Sequence, residues 1–238
     1  MSLNRHFTFC VFAAIVIGFG AGCNSNNPVK ANPQPVTVTD IDGNIYHTVT
    51  IGTQVWMVEN LKTTRYNDGT AIALVTDDNA WMNLTTGAFC WYNNDSATYK
   101  NPYGALYNWY AVNTGKLAPT GWHVPSDSEW SVLVAIAGGD AVAGGALKEA
   151  GTTHWASPNS GATNNPYGFS ALPGGSRTNV STFVDNGNTG CFWASTSYPG
   201  FIPPASWGRY LNSSSPGVDR NYFNFNVDGF SVRCVRNP

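Results

Sequence analysis

Charged side chains are scarce in this chain. Asp, Glu, Lys and Arg make up 11% of its 238 residues, and the formal net charge is −2. About a quarter is usual for a soluble protein. No stretch of the sequence is rich in Lys and Arg. Without a basic stripe to neutralise phosphates, the sequence predicts no nucleic-acid partner.

The chain also lacks an apolar run long enough to span a membrane as a helix. The mostly apolar run from Phe7 to Phe19 is shorter than the roughly 20 residues that a spanning helix needs. A short end carrying Arg5 precedes it, and the small residues Gly20, Ala21 and Gly22 follow it. This is the layout of a secretory signal. Residues 1–22 are therefore predicted to be a signal peptide, which makes the protein an exported one.

Cys23 follows the small residues directly. The layout resembles a lipoprotein signal, in which the chain is cut before the cysteine and the thiol carries a lipid. Such signals usually have Leu where Gly20 stands, so ordinary secretion stays open as the alternative. Lipidation of Cys23 is the favoured interpretation. It predicts a membrane-anchored cell-envelope protein, in the outer membrane or at the cell surface.

The segment after Cys23 is predicted to be a flexible tether over residues 23–35. Asn24 to Pro35 contains three prolines and no large apolar cluster, so it cannot bury enough surface to fold. Residues 36–238 have the length of one domain with its own core.

Cysteine motifs are missing as well. Apart from Cys23, the exported chain holds Cys90, Cys191 and Cys234, with no CxxC pair and no Cys/His cluster of metal-site spacing. In an oxidising compartment these three cysteines permit one disulfide with three alternative pairings. A free buried thiol at each position is the other interpretation, and the sequence leaves both open.

Motifs of catalytic centres are also absent. His47, His123 and His154 fall at neither HxH nor HExxH spacing. Ser195 lacks the Gly-x-Ser-x-Gly context that exposes a nucleophile. The sequence therefore predicts no catalytic residue and no metal ligand.

Local patterns predict an α+β fold with many loops. Two runs, 45–51 and 54–58, flank Gly52-Thr53 and predict a hairpin. Ser126 and Glu129 have the spacing of a capping box, which predicts a helix that ends at Gly138-Gly139. Its apolar face is predicted to consist of Trp130, Leu133, Val134 and Ala137. A second helix is predicted over 105–112, and strands over 168–172, 191–196, 206–211 and 230–235.

Seven segments carry a resemblance to a known family. In chain order they read DIDGNIYHTVTIGTQVWMVENLKTTRYNDGT, CWYNND, YGALYNWYAV, GWHVPSDSEW, ALPGGSR, FWASTS and GFSVRCVR. They resemble the Fibrobacter succinogenes major paralogous domain, over residues 36–238. That family is similar in turn to the formylglycine-generating (sulfatase-modifying) enzymes. The resemblance implies a C-type-lectin-like fold, with a twisted antiparallel sheet, two helices and long loops on one side.

The resemblance does not extend to the chemistry of those enzymes. They use a pair of reactive cysteines upstream of a terminal Gly-Phe-x-Cys segment, whereas Arg209 to Gly229 contains no cysteine here. The fold can be shared without the activity.

Aromatic residues are abundant, with 9 Trp, 11 Tyr and 12 Phe. Five tryptophans lie in predicted elements or family segments and are assigned to the core: Trp56, Trp109, Trp122, Trp130 and Trp193. Trp155, Tyr198 and Trp207 lie in or beside polar loops and are the predicted ligand-binding residues. An aromatic face beside amide and hydroxyl groups suits a sugar. The alternative for each of the three is that it covers the underside of its own loop.

Two Asn/Asp groups could supply oxygen ligands to calcium. They are Asp95 with Asn93 and Asn94, and Asp228 with Asn224 and Asn226. Polar turns have the same composition and are the favoured interpretation, so no cofactor is predicted.

Three functions remain open at this point. A non-catalytic binding or adhesion module for a polysaccharide or a surface protein is favoured, because anchor, tether and aromatic loops all suit it. The alternatives are an oxidoreductase of the formylglycine-generating type and a structural component of the envelope.

Overall fold

The computed structural model describes residues 36–200, 202 and 205–238, without the side chains of Tyr222 and Phe223. The predicted signal peptide, Cys23 and the tether lie outside these residues. The described residues lie within one compact unit. No helix in the described part is long and apolar enough to cross a membrane.

Five short α-helices occur in the described residues: α1 Asp78–Met82, α2 Ser96–Tyr103, α3 Trp109–Val112, α4 Asp127–Ile136 and α5 Ala143–Leu147. The strands are β1 Thr37–Thr39, β2 Ile45–Ile51, β3 Gln54–Met57, β4 Ala73–Leu74, β5 Ala88–Cys90, β6 Leu106–Tyr107, β7 Trp122–His123, β8 Ser176–Arg177, β9 Phe183–Val184, β10 Thr189–Tyr198, β11 Ala205–Asn212, β12 Val218–Phe225 and β13 Val235–Arg236. Helices and mainly antiparallel strands together confirm the α+β prediction. The C-type-lectin-like assignment stays a prediction.

The strands form four small sheets. One has five strands in the order β1-β2-β3-β13-β7, and a second has the order β10-β11-β12. Both are antiparallel throughout. The third sheet, β4-β5-β6, contains the parallel pair β4 and β5, and β8 pairs with β9 to form the fourth.

The predicted hairpin and capped helix are both present. Strands β2 and β3 pair in register from Thr48 to Ile51 and turn at Gly52, whose φ is +60°. The side chain of Ser126 accepts the N–H of Glu129, and the Glu129 carboxylate accepts the N–H of Ser126 at 2.8 Å. All four residues of the predicted apolar face of α4 are buried. Local chemistry is sufficient here because each motif satisfies its own backbone groups.

Three predicted elements are absent or shorter than expected: the helix over 105–112 and the strands over 168–172 and 230–235. Only Trp109–Val112 of the predicted helix is helical, because Tyr107 pairs with Phe89 in β5 and Asn108 then caps α3. The predicted strand over 168–172 is absent. Gly168 and Ser170 both have positive φ, a conformation that an extended strand does not accept. Tertiary pairing overrides local preference in the first case and turn geometry does so in the second.

Other elements were not predicted, because their apolar residues do not recur at the spacing of a helix or a strand. Helix α2 contains Pro102 and buries none of its residues, so it presents no apolar face. Strand β12 reads VDRNYFNF, without the alternation of a half-buried strand. The predicted strand over 230–235 is reduced to single bridges at Phe230 and Ser231 before β13 begins.

The C-terminal segment 229–236 joins all four sheets. Gly229 bridges Arg177 of β8, Phe230 bridges Tyr107 of β6, and Ser231 bridges Phe192 of β10. Val235 then pairs with Trp56 of β3 and with His123 of β7. A strand that pairs continuously with one neighbour cannot make all of these contacts. This explains why the segment is extended but irregular.

Arg233 lies inside this segment and is completely buried. Its Nε and Nη2 donate to Asn60 Oδ1 at 3.2 and 2.8 Å, and its Nη1 donates to the carbonyl of Phe169. The guanidinium lies 4.5 Å from the ring centroid of Phe169 and 5.7 Å from that of Phe192. Burial lowers the pKa of Arg233 to about 9. One side chain therefore ties the terminal segment to two distant loops.

We expect Arg233→Met to lower the free energy of unfolding by about 3 kcal/mol, because Asn60 Oδ1 and the Phe169 carbonyl would lose their buried donor. Urea denaturation measures the change. Arg236→Met is the matched control, since Arg236 is exposed on the same segment and surface changes cost within about 0.5 kcal/mol. Equal, small losses for both variants would contradict the role given to Arg233.

Candidate functional site

A polar cleft of about 220 Å³ lies beside the end of β12 and is called here the Asp228 cleft. Its walls come from β8 and the residues after it, from β11, and from β12 and the loop that follows. The lining residues are Ser176, Thr178, Asn179, Tyr210, Asn221, Asn224, Phe225, Asp228 and Phe230. Polar side chains thus converge on a concave surface from three separate stretches of sequence.

The pairing of β11 with β12 sets the polar wall. Gly208 pairs with Asn221, and Ser206 pairs with Asn224, with a register irregularity between them. A Cβ at Gly208 would lie 3.0 Å from Asn224 Nδ2 and 3.3 Å from the Phe192 carbonyl. A side chain at Gly208 would therefore press on the Asn224 amide that lines the cleft.

Three aromatic residues, Tyr210, Phe225 and Phe230, contribute the apolar part of the lining. The rings of Tyr210 and Phe230 meet edge to face, with centroids 5.6 Å apart. Phe230 in turn stacks on Trp193, with centroids 4.3 Å apart. The Tyr210 hydroxyl donates to Asn224 Oδ1. Core packing on one side and this hydrogen bond on the other hold both rings in place.

Asp228 is the acidic group of the cleft and is 8% exposed. Its Oδ2 accepts the backbone N–H of Phe225 at 2.8 Å. Burial raises the pKa of Asp228 from 3.8 to about 7, although the donating N–H groups of Phe225 and Asn179 act in the opposite direction. The residue can therefore change its charge near neutral pH, which is frequent at binding and catalytic sites.

The second calcium candidate of the sequence forms part of this wall. Asn224 Nδ2 donates to the carbonyls of Ser206 and Asn221, while Asn226 Oδ1 accepts the Ser206 hydroxyl at 2.9 Å. Protein donors already engage the amide oxygens of Asn224 and Asn226. The arrangement is that of a hydrogen-bonded loop.

The first calcium candidate forms a turn and a helix cap. Asn93 and Asn94 have φ values of +52° and +57°. Asp95 Oδ1 accepts the N–H groups of Ala97 and Thr98 and so caps α2. Among the described residues, no group of three or more His, Cys, Asp or Glu side chains could hold a metal ion.

Trp155 does not have the exposure that a ligand-binding residue needs. It is 1% exposed, and its indole Nε1 donates to the carbonyl of Ala171 at 2.9 Å. It belongs to the core cluster that also contains Trp130 and Phe192. The prediction for Trp155 therefore requires correction: the residue covers the inside of its own loop.

Tyr198 and Trp207 do come together, on strands β10 and β11. Their rings meet edge to face with centroids 5.5 Å apart, and the guanidinium of Arg220 lies 3.9 Å from the Trp207 ring centroid. Arg220 and the buried Arg209 both bind the carboxylate of Asp127. We call Tyr198, Trp207 and Arg220 the Trp207 patch. Because the guanidinium covers one face of the indole, the patch is less open to a sugar ring than the sequence suggests.

Of the five tryptophans assigned to the core, four are buried: Trp56, Trp109, Trp130 and Trp193. Trp122 is partly buried and packs against the core.

The cysteines are free and buried at all three described positions, Cys90, Cys191 and Cys234. This decides between the two alternatives that the sequence left open. Burial raises the pKa of the Cys90 thiol to about 12 and also raises the pKa values of Cys191 and Cys234. Since the thiolate is the reactive form, these residues are placed for packing.

His123 and Ser195 do not pair as base and nucleophile. His123 and Ser195 line the same cavity of about 160 Å³. Both ring nitrogens of His123 have other partners at 2.8 Å, Glu129 Oε1 and Asn237 Oδ1. His123 is thus held as a structural link between α4 and the C-terminus.

Sequence patterns missed most of the Asp228 cleft. The calcium hypothesis drew attention to Asn224, Asn226 and Asp228, whereas nothing singled out Tyr210 or Asn179. Their roles depend on the β11–β12 register and on the bridge between β8 and Gly229. The signal that was available is the concentration of asparagine and aromatic residues in 221–226.

Asp228 predicts a specific pH dependence of stability. Its pKa is raised in the folded state, so folding takes up a proton between about pH 4 and pH 7. The free energy of unfolding should therefore fall as pH rises through this window, by on the order of a few kcal/mol relative to Asp228→Asn. Urea denaturation at several pH values measures this pH dependence. Asp219→Asn is the control, because Asp219 is exposed and the substitution makes the same change in charge. Parallel profiles for wild type and Asp228→Asn would contradict the prediction.

Comparison with known proteins identifies one family. No curated protein and no solved structure matches the chain. A family model, the Fibrobacter succinogenes major domain, matches residues 49–236. The match contains the hairpin strand β3, helix α4, the whole Asp228 cleft and the terminal segment. The chain therefore belongs to the Fibrobacter succinogenes major domain family.

Proposed function

We propose that the protein is exported, anchored in the cell envelope through a lipid on Cys23, and carries a non-catalytic module that binds a glycan in the Asp228 cleft. The single observation that carries the glycan part is the composition of this cleft. The amides of Asn179 and Asn221 line it together with the aromatic residues Tyr210 and Phe230. Sugar hydroxyls need such donors and acceptors, and the C–H face of a sugar ring suits an aromatic surface.

The anchor and tether support a role at the cell surface. A lipid on Cys23 with a flexible segment behind it would hold the domain near the membrane while leaving it free to reorient. The many asparagine and serine side chains of the chain supply donors and acceptors that suit the hydroxyl groups of a polysaccharide.

The non-catalytic part of the proposal is supported by the buried thiols. An oxidoreductase of the formylglycine-generating type would need reactive cysteines, and Arg209 to Gly229 supplies none. Cys191 and Cys234 have raised thiol pKa values in the core. A structural envelope component without a small ligand is the other alternative, and binding measurements separate it from a glycan-binding module.

Lipidation predicts that Cys23→Ser releases the protein from membranes. In cells fed a labelled fatty acid, the wild type should carry the label and sediment with the membrane fraction. Cys23→Ser should not be labelled. Cys10→Ser is the matched control, because Cys10 lies inside the predicted signal peptide. An unlabelled wild type in the soluble fraction would instead indicate ordinary secretion.

Glycan binding predicts that full-length protein in detergent is retained by particular polysaccharides in an array or a pull-down. We expect Asn179→Ala to weaken retention about tenfold, the size of one lost polar contact. Asn164→Ala is the control, since Asn164 is exposed and does not line the cleft.

Two other results would be informative. If Trp207→Ala abolishes retention and Asn179→Ala does not, the Trp207 patch is the binding surface. Absence of retention by every polysaccharide would contradict the glycan proposal and favour a structural role.

A further inference from the structure

The carboxylate of Asp228 has no cationic partner among the described residues. Ion pairs within 4 Å in that part of the chain involve other acids. The partners found for its carboxylate are two backbone N–H groups, those of Phe225 and Asn179. A carboxylate has about four acceptor sites. Asp228 therefore keeps acceptor capacity and uncompensated charge at the wall of the cleft.

Arginines of the neighbouring elements are engaged elsewhere. Arg177 of β8 donates to Asp78 Oδ1 and to the Val75 carbonyl, both at 2.8 Å. Arg209 and Arg220, on β11 and β12, bind Asp127 at 2.5 and 2.7 Å. Three arginines therefore lie on the strands that build the cleft, but their guanidinium groups bind residues other than Asp228. No Lys or Arg side chain of β8, β11 or β12 neutralises the charge of Asp228.

The remaining lining suits a positively charged group that only donates hydrogen bonds. Asn179 and Asn221 carry side-chain oxygens that can accept hydrogen bonds, and the aromatic residues Tyr210 and Phe230 also line the cleft. An ammonium group has three donors and no acceptor. It gains from a carboxylate through charge-assisted hydrogen bonds and from aromatic rings through cation–π attraction.

We propose that the Asp228 cleft recognises the ammonium group of a small ligand, an amino sugar where the ligand is a glycan. This inference deepens the proposed glycan binding and rests on it for the sugar part alone. The ammonium pairs with Asp228, and the rest of the ligand extends towards Asn179 and Asn221. Because a buried unpaired charge is costly, the pairing favours a cationic ligand over a neutral one of the same shape. The raised pKa of Asp228 is consistent with a carboxyl that lacks this partner in the free protein.

Two matched pairs of probes test the proposal on full-length protein in detergent at pH 7. Glucosamine is compared with glucose, and ethanolamine with ethylene glycol, by calorimetry or by NMR shifts of the Phe225 and Asn179 amides. We expect each amine to bind at least tenfold more tightly than its neutral counterpart. Asp228→Asn should abolish this preference. Asp219→Asn, with the same change in net charge at an exposed position, should retain it.

The outcomes separate this inference from the glycan proposal. Equal binding of glucosamine and glucose would overturn the ammonium site and leave glycan binding intact. Preference for ethanolamine without binding of either sugar would support the ammonium site and count against a glycan. If none of the four probes binds, the ammonium site is overturned. The comparison uses the wild-type protein, so its result does not depend on whether a variant folds.

Discussion

The fold depends on a buried cation at its C-terminal end. Arg233 donates to Asn60 and to the carbonyl of Phe169 from inside a segment that bridges every sheet. Four small sheets with few long strands cannot be held by ladder hydrogen bonds alone. A guanidinium has five donors in a fixed plane, so one residue can satisfy several loop acceptors at once. Burying it is costly unless those bonds are all made, which makes the arrangement cooperative.

The same solution recurs at other places in a chain that has few charges. Lys148 is fully buried and donates to the carbonyls of Ser160, Asn212 and Ser215 at 2.7 to 3.0 Å. Burial lowers its pKa to about 8. Arg177 joins the β8 region to the loop before α1 in a similar way. Much of the scarce positive charge is thus used inside the protein to organise loops.

This use of arginine has a consequence for the surface. Because the arginines of β8, β11 and β12 are committed to Asp78 and Asp127, the acid of the neighbouring cleft has no counterion within the described part of the chain. Asp228 is held in position by backbone N–H groups and by packing beside Phe230. A structural demand of the sheets therefore shapes the electrostatics of the candidate binding site.

The sequence by itself determined features whose physics is local. The Ser126 capping box and the turn at Gly52 satisfy their own backbone groups within a few residues. The apolar face of α4 follows from helical spacing, and the family segments identified the domain. Only the tertiary structure decided the burial of Trp155 and the assembly of the Asp228 cleft. Both depend on contacts between separate stretches of the chain. The cleft also depends on strand register, for which a polar strand such as β12 offers no periodic signal. The folded structure decides which side chains are exposed and which of them converge on one cleft. A pattern along the chain does not contain this information.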